Sequence, residues 1–549
     1  MRHPFEPSTP FWAETHHVEN QPLPLSDYRM AANDRALQDM LSRSGLNNTA
    51  DITAFGDWCG SAEALDLGHD ANKHKPEFFS HDRRGERIDE VRFHPAYHQL
   101  MAKACHEGLH SHHWQGAHHA HLVRASKYYL MAQVEAGHGC PITMTAAAIP
   151  ALRHDDKLYQ HFAEKILNTH YDAANRPDAD KQSLTVGMAM TEKQGGSDVR
   201  SNSTVAHFDG SDELGERYLL SGHKYFVSAP MCDLFLVLAQ TSAGPTCFIV
   251  PRWRPDGSKN PLQVQRLKNK MGNVSNASSE TELRGAMGWR LGEEGRGVAT
   301  IIDMVSATRF DCMIGSSAGM RQATAQAIHH CQQREAFGAK LSQQPLMMGV
   351  LADLALESEA SLAMTIHLAN AADQGNTALL RLATAVGKYW ICKRTPNHAY
   401  EAMECIGGSG AMEDHVMPRL FRESPINAIW EGSGNVQCLD VIRALHTHPE
   451  SGHVLLNDIK AASQHPALSV AIAQLEQQLS RGIPPDHARH WVGQMAICSQ
   501  AAALYRYSPA WVADAFCEAR LSETAQGWVY GALPEGVDRA ALIARASPT

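Results

Sequence analysis

Along residues 122–134 apolar side chains recur every three or four positions, the period of a buried helical face. This period dominates the chain to about Gln182 after an irregular start, with Pro141 and Pro150 punctuating it. The pattern changes at Ser183. From there to about Arg296, short β-prone runs at 218–221, 234–239 and 247–250 are separated by Gly, Asp and Pro, which predicts a compact antiparallel β domain. The helical period returns at Gly297, and the runs 351–362 and 379–390 predict long bundle helices. In the tail, Leu468, Ile472, Leu475 and Leu479 fall on one stripe, while Pro484, Pro485, Pro509 and Pro534 divide it into three or four helices. The expected class is α+β in four parts: a mainly helical domain over 1–182, a central β domain over 183–296, a helical bundle over 297–445 and a C-terminal helical extension over 446–549.

Composition narrows the function classes. A chain of 549 residues is too long for one core, and 44% apolar with 20% charged residues is an ordinary globular balance. Residues 1–10 lack the apolar centre of a secretory signal, and no long uncharged apolar run follows, which predicts a cytoplasmic protein without membrane spans. The 12 cysteines form no Cys-x-x-Cys pair and read as reduced core thiols. A formal net charge of −10 predicts no whole-molecule attraction to nucleic acid, so any such contact needs a local basic patch. Histidines crowd between His106 and His121 without the cysteine and carboxylate partners of a structural zinc site. The expectation there is a solvated loop and helix end, with no metal.

Candidate chemistry lies in a few short segments. Ile429-Trp-Glu-Gly-Ser433 sets a carboxylate between an aromatic ring and a glycine turn. Shielding by Trp430 raises a carboxyl pKa toward the range of a general base, and Gly432 allows a tight turn. Met190-Thr-Glu-Lys-Gln-Gly-Gly-Ser-Asp198 is a polar turn after an apolar strand candidate, able to point N–H groups and hydroxyls at an anion or a heteroaromatic edge. Gly222-His-Lys-Tyr-Phe-Val-Ser228 is a β-type run ending in a hydroxyl. Then come Arg334-Glu-Ala-Phe-Gly338 with Gln344, and Ile406-Gly-Gly-Ser-Gly410. In this order the segments resemble the acyl-CoA dehydrogenase flavoprotein family over roughly residues 187–443. Lys193-Gln-Gly-Gly196, Trp430 and Ser433, with Asn20-Gln-Pro-Leu-Pro24, Arg92-Phe-His-Pro95 and Thr308-Arg-Phe-Asp-Cys312, resemble an alkylation-response branch of it.

The resemblance implies the family's fold, FAD as cofactor, acyl-CoA as substrate and a homotetramer. It implies Glu431 as the base that removes the substrate α-proton. Met190, Thr191, Ser197, Phe226 and Ser228 are implied to line the flavin, and Arg334, Gly407 and Gly408 to reach the FAD of a neighbouring subunit. Gln344, Trp430, Gly432, Ser433 and Asn435 complete the implied cofactor set, and Arg309 lies near the thioester. The alkylation-response branch further implies sequence-nonspecific binding of double-stranded DNA by the C-terminal region, with weak or vestigial dehydrogenase activity. From Ser451 onward the tail holds seven Lys/Arg and eight Asp/Glu, so a basic patch requires Arg443, Arg506 and Arg520 to gather on one face. The alternatives are a catabolic acyl-CoA dehydrogenase with a structural extension, and an interaction scaffold with a structural flavin.

Overall fold

The computed structural model describes residues 16–523, 525 and 529–549, the backbone alone at Asp303, and the paired strands Pro7–Thr9 (β1) and Trp12–Ala13 (β2). Apart from β1, the segment 1–10, expected to carry no secretory signal, lies outside the described residues. The first layer comprises α1 (Arg35–Arg43), α2 (Ala50–Cys59), α3 (Ala62–Lys73), the hairpin β3 (Glu77–His81) and β4 (Arg87–Arg92), and then α4 (Pro95–His106), α5 (Ala120–Val134), α6 (Gly139–Leu152) and α7 (Asp156–Leu167). Acceptor side chains start several of these helices: Asp34 accepts from the Leu37 N–H at 3.1 Å and Ser61 from the Ala64 N–H at 3.2 Å. Helices α5 and α6 are buried on nearly every side, so their polar residues must find partners inside the protein.

The central sheet contains β5 (Val186–Ala189), β6 (Val205–Asp212), β7 (Gly215–Ser228), β8 (Leu234–Thr241), β9 (Gly244–Pro251), β10 (Leu262–Leu267) and β11 (Ser278–Leu291), in the order β10-β11-β9-β8-β5-β7-β6. The long strand β11 pairs with both β9 and β7, which curls the sheet toward closure. One expectation is corrected here. The sheet is mixed, because β5 and β6 each run parallel to β8. Strand β5 enters from the helical layer after α7, and that long connection leaves its direction free of hairpin constraints.

The bundle is built from α8 (Gly297–Gln333), the small hairpin β12 (Glu335–Ala336) and β13 (Ala339–Lys340), α9 (Pro345–Asp373), α10 (Thr377–Ile406), α11 (Met417–Glu423) and α12 (Gly434–Thr447). Among the described residues the tail adds five α-helices rather than three or four: α13 (Glu450–Lys460), α14 (Pro466–Arg481), α15 (Ala488–Tyr507), α16 (Ala510–Arg520) and α17 (Arg539–Ala546). Pro466 starts α14 and divides it from α13, a boundary that Pro484, Pro485, Pro509 and Pro534 do not mark. Leu468, Ile472 and Leu475 join the same apolar core as the bundle and the first helical layer. The β sheet packs a second core with α6 and α7. The far end of the chain closes onto its beginning: Asn33 Nδ2 donates to the Pro548 carbonyl at 2.6 Å, and Arg545 bridges Glu359 at 2.8 Å and Asp39 at 2.7 Å. All 12 cysteines are buried and unpaired, and among the described residues no helix is long and apolar enough to cross a membrane.

Candidate active site

Glu431 sits in the loop between α11 and α12 with φ +56°, a left-handed conformation unfavourable for a residue with a Cβ. The surrounding structure holds it there. Arg309 Nε and Gln437 Nε2 donate to its carbonyl at 3.1 and 3.0 Å. Lys388, fully buried on α10, donates to the carbonyls on either side, at 2.7 Å to Trp430 and 2.6 Å to Gly432. Gly432 has φ +95°, and a Cβ there would stand 2.7 Å from Gln437 Nε2, so only glycine fits. Replacing Lys388 by Met should orphan the Trp430 carbonyl, leave the Gly432 carbonyl with Gln437 alone and cost about 3 kcal/mol, since hydrogen bonds from charged donors contribute roughly 1.5–3 kcal/mol each. Urea unfolding of the variant checks this; a loss under about 1 kcal/mol, the net worth of one ordinary hydrogen bond, would show that the loop stands without its clamp.

The Glu431 carboxylate accepts a hydrogen bond from Thr308 Oγ1 at 2.9 Å. Burial pushes its pKa above the usual carboxylate range, outweighing that hydrogen bond and the nearby Lys388 and Arg309 charges. It faces a narrow cavity of about 50 Å³ whose wall includes Ser228, Thr308, Asn427 and Trp430. Trp430 is fixed by an Nε1 hydrogen bond to Asn427 at 2.8 Å. Arg309, by contrast, turns its guanidinium to Asp440 at 2.7 Å, which makes it an anchor of the Glu431 loop.

The β-domain side of this seam presents an exposed Phe226 and, two residues on, the half-buried Ser228 at the end of β7. Lys268 Nζ lies 4.6 Å from the Phe226 ring centroid. The Thr191 carbonyl accepts from the Tyr225 N–H at 2.8 Å, and the Met190 carbonyl from Asn202 Nδ2 at 2.8 Å, so the turn carrying them is tied to the sheet. Its brace is Glu192, which sequence reasoning did not single out. The buried carboxylate accepts from Lys224 Nζ at 2.8 Å and from the Ser203 and Thr204 N–H groups at 2.7 and 3.1 Å. Burial alone would raise its pKa, but these partners hold it at about 2. Ser197 and the glycine before it remain exposed. An open aromatic face, nearby hydroxyls and backbone N–H groups make a surface that fits a planar heteroaromatic ring.

Arg334, Gln344, Gly407 and Gly408 lie elsewhere. Arg334 caps the end of α8, about 38 Å along that helix from Arg309 at about 1.5 Å per residue. Its guanidinium donates to the Asn20 carbonyl, while Gln344 Nε2 donates to the Ala336 carbonyl at 3.0 Å. Gly407 and Gly408 face open space where a Cβ would stand. Ser433 starts α12, and the Asn435 side chain accepts from Arg489 of α15 at 2.8 Å, so it is already spoken for.

Two sequence expectations fail on burial. Arg520, expected to face DNA, is 7% exposed and held between Asp353 and Glu357 of α9. Arg506 is also engaged, at 3.2 Å from Asp458. Only Arg443 of the three presents its guanidinium to solvent, 69% exposed with Asp440 at 3.7 Å. The histidine-rich stretch is not simply solvated either, since His110 and His113 are buried. No group of metal-ligating side chains occurs there or elsewhere among the described residues.

A mixed β domain between two helical layers, with a shielded carboxylate facing the seam, defines the class: the chain belongs to the acyl-CoA dehydrogenase family of FAD-dependent oxidoreductases. Three family models match in succession, the adaptive response protein AidB N-terminal domain over residues 20–173, the acyl-CoA dehydrogenase middle domain over 187–286 and its C-terminal domain over 295–446. Among known proteins, the putative acyl-CoA dehydrogenase AidB of Escherichia coli is 43% identical over 521 residues, covering 92% of this chain and 95% of that protein. Acyl-CoA dehydrogenase family member 11 of Caenorhabditis elegans is 31% identical, covering 75% of this chain and 69% of that protein. The crystal structure of C. elegans ACDH-11 in complex with C11-CoA matches with a TM-score of 0.81 at 26% identity, covering 94% of this chain and 96% of that one.

Proposed function

We propose that this is an FAD-containing, AidB-like protein that acts in the adaptive response to DNA alkylation, binds double-stranded DNA without sequence preference, and retains weak acyl-CoA dehydrogenase activity. The observation that carries the enzymatic half is Glu431, a carboxylate of raised pKa locked into a cavity of about 50 Å³ behind Trp430. Phe226, Ser228, Thr191, Met190 and Ser197 would hold the flavin at the seam, with Trp430, Gly432 and Ser433 on its other side. Bound there, FAD would supply the acceptor for a hydride from the acyl β-carbon. Glu431 takes the α-proton; Thr308 fixes which carboxylate oxygen is turned inward; Trp430 keeps water out and limits the acyl group. The small cavity is the reason for expecting weak turnover.

Two further features support the rest of the reading. Arg334 stands about 38 Å along α8 from Arg309, which anchors the Glu431 loop, and Gly407 and Gly408 leave open space where a Cβ would stand, which favours a role across a subunit boundary in a homotetramer. Likeness to AidB over nearly its whole length favours the adaptive-response role, which we place in the cytoplasm. With Arg506 and Arg520 occupied, Arg443 is the one of the three arginines still turned to solvent and able to meet phosphate. Gel retardation of duplex DNA across a salt series is the test. Arg443→Glu should weaken binding several-fold for every sequence and lower the salt slope by about 1 for each phosphate it no longer neutralises. No retardation by the intact protein at low salt removes the DNA-binding claim, and rapid flavin bleaching by a short acyl-CoA favours a catabolic dehydrogenase instead.

A further inference from the structure

A second cavity, of about 500 Å³, lies on the other side of α8 from Glu431 and reaches the surface beside His448 and Glu450. Its wall is mainly apolar, with Phe310, Leu368 and Leu380 contributing. It also includes His113, which is 8% exposed and has an Nδ1 without a partner among the described residues. Burial holds that imidazole neutral.

The two cavities share two lining residues, Thr143 of α6 and Asp311 of α8. At that shared wall Arg124 of α5 forks onto the two Asp311 oxygens, with Nη2 at 2.6 Å from Oδ2, and Thr143 Oγ1 donates to the same carboxylate. Arg124 and Asp311 are each 5% exposed. Arg124 is fixed from behind as well: Nε donates to the Leu109 carbonyl at 2.8 Å, and the guanidinium lies 4.7 Å over the Tyr128 ring. Every group of the wall is thus bonded, and separating the pair would leave a buried charge without its partner.

We propose that the Arg124–Asp311–Thr143 wall sets ligand size at Glu431: it divides what would otherwise be one continuous channel, and confines the group beside the carboxylate to a short acyl chain. The inference rests on reading Glu431 as the base of an acyl-CoA site. An uninterrupted aliphatic lining would let a longer chain run from one cavity into the other. Here a chain of more than a few carbons meets an immobile ion pair that cannot step aside without losing its hydrogen bonds.

The experiment uses the FAD-loaded full chain and isothermal titration with butanoyl-, octanoyl- and dodecanoyl-CoA. The wild type should bind butanoyl-CoA more tightly than dodecanoyl-CoA. The double variant Arg124→Met/Asp311→Ala removes both charges together and should shift that affinity ratio toward dodecanoyl-CoA by about tenfold or more. Thr143→Leu narrows the throat while leaving the ion pair in place, and should shift the ratio the other way; it keeps the inference testable if the double variant fails to fold. An unchanged ratio in variants with native circular dichroism overturns the role of the wall. Failure of the wild type to bind any of the three ligands overturns the acyl-CoA reading on which it rests.

Discussion

Replacing Glu431 by Gln should slow flavin bleaching by a short acyl-CoA by about 10²–10⁴-fold, the range a positioned general base contributes, while acyl-CoA affinity stays within a few-fold. The amide keeps the shape of the side chain and can still accept from Thr308. The hydrogen bonds that hold the backbone at φ +56° all go to main-chain carbonyls, so the loop has no reason to move. Only the proton acceptor is removed. A base works when deprotonated, and burial raises the pKa of this one. The wild-type rate should therefore climb with pH through a value above the ordinary carboxylate range, and the variant should lack that limb. Stopped-flow absorbance of the flavin between about pH 5 and 9 measures both. Undiminished bleaching in the variant, with the same pH profile, would place the base elsewhere.

Replacing Arg520 by Gln should cost about 3–5 kcal/mol of stability, the usual consequence of removing one partner from a buried ion-pair network. Arg520 lies 3.0 Å from Glu357, which Arg394 also approaches, at 3.2 Å. Burial alone would raise the Glu357 pKa, but the two guanidinium groups hold it at about 2. A depressed folded pKa contributes stability that is complete above the unfolded value, near 4.5, and is lost as pH falls toward 2. In the variant a smaller pull remains, so less of the stability near neutral pH should depend on this carboxylate. Urea unfolding at about pH 3, 5 and 7, which brackets that window, compares the two proteins. Where the variant is folded, the salt dependence of DNA binding should match the wild type. A variant of native stability with a reduced salt slope would return Arg520 to the DNA-facing surface.

The contrast between these residues shows what one chain's sequence exposes. Glu431 was legible because its chemistry is local: the shielding aromatic and the permissive glycine are its neighbours in the chain. The alternation of helical and strand periods was legible for the same reason. Arg520 was not, because Asp353 and Glu357 precede it by 167 and 163 residues and only the packing of α16 on α9 brings them together. The partners of Arg124 and Glu192 are likewise remote, at sequence separations of 187 and 32. An arginine in the last turn of a helix reads as solvated until the opposing helix is in place. His113 misled in the same way, since a dense run of histidines looks hydrophilic whatever covers it. The parallel pairing of β5 with β8 depends on a route through the helical layer that no local alternation encodes.

The hydrogen bond joining Asn33 to Pro548 spans 515 positions. At about 5–20 residues per second of synthesis, on the order of a minute passes between the appearance of one partner and the other. During that interval the nascent polypeptide carries an unsealed seam along its earliest helices, which α17 closes only long after they are made. A ribosome stalled late in the message would release a product with nearly all of its apolar interior but an open edge, a ready target for chaperones and proteases.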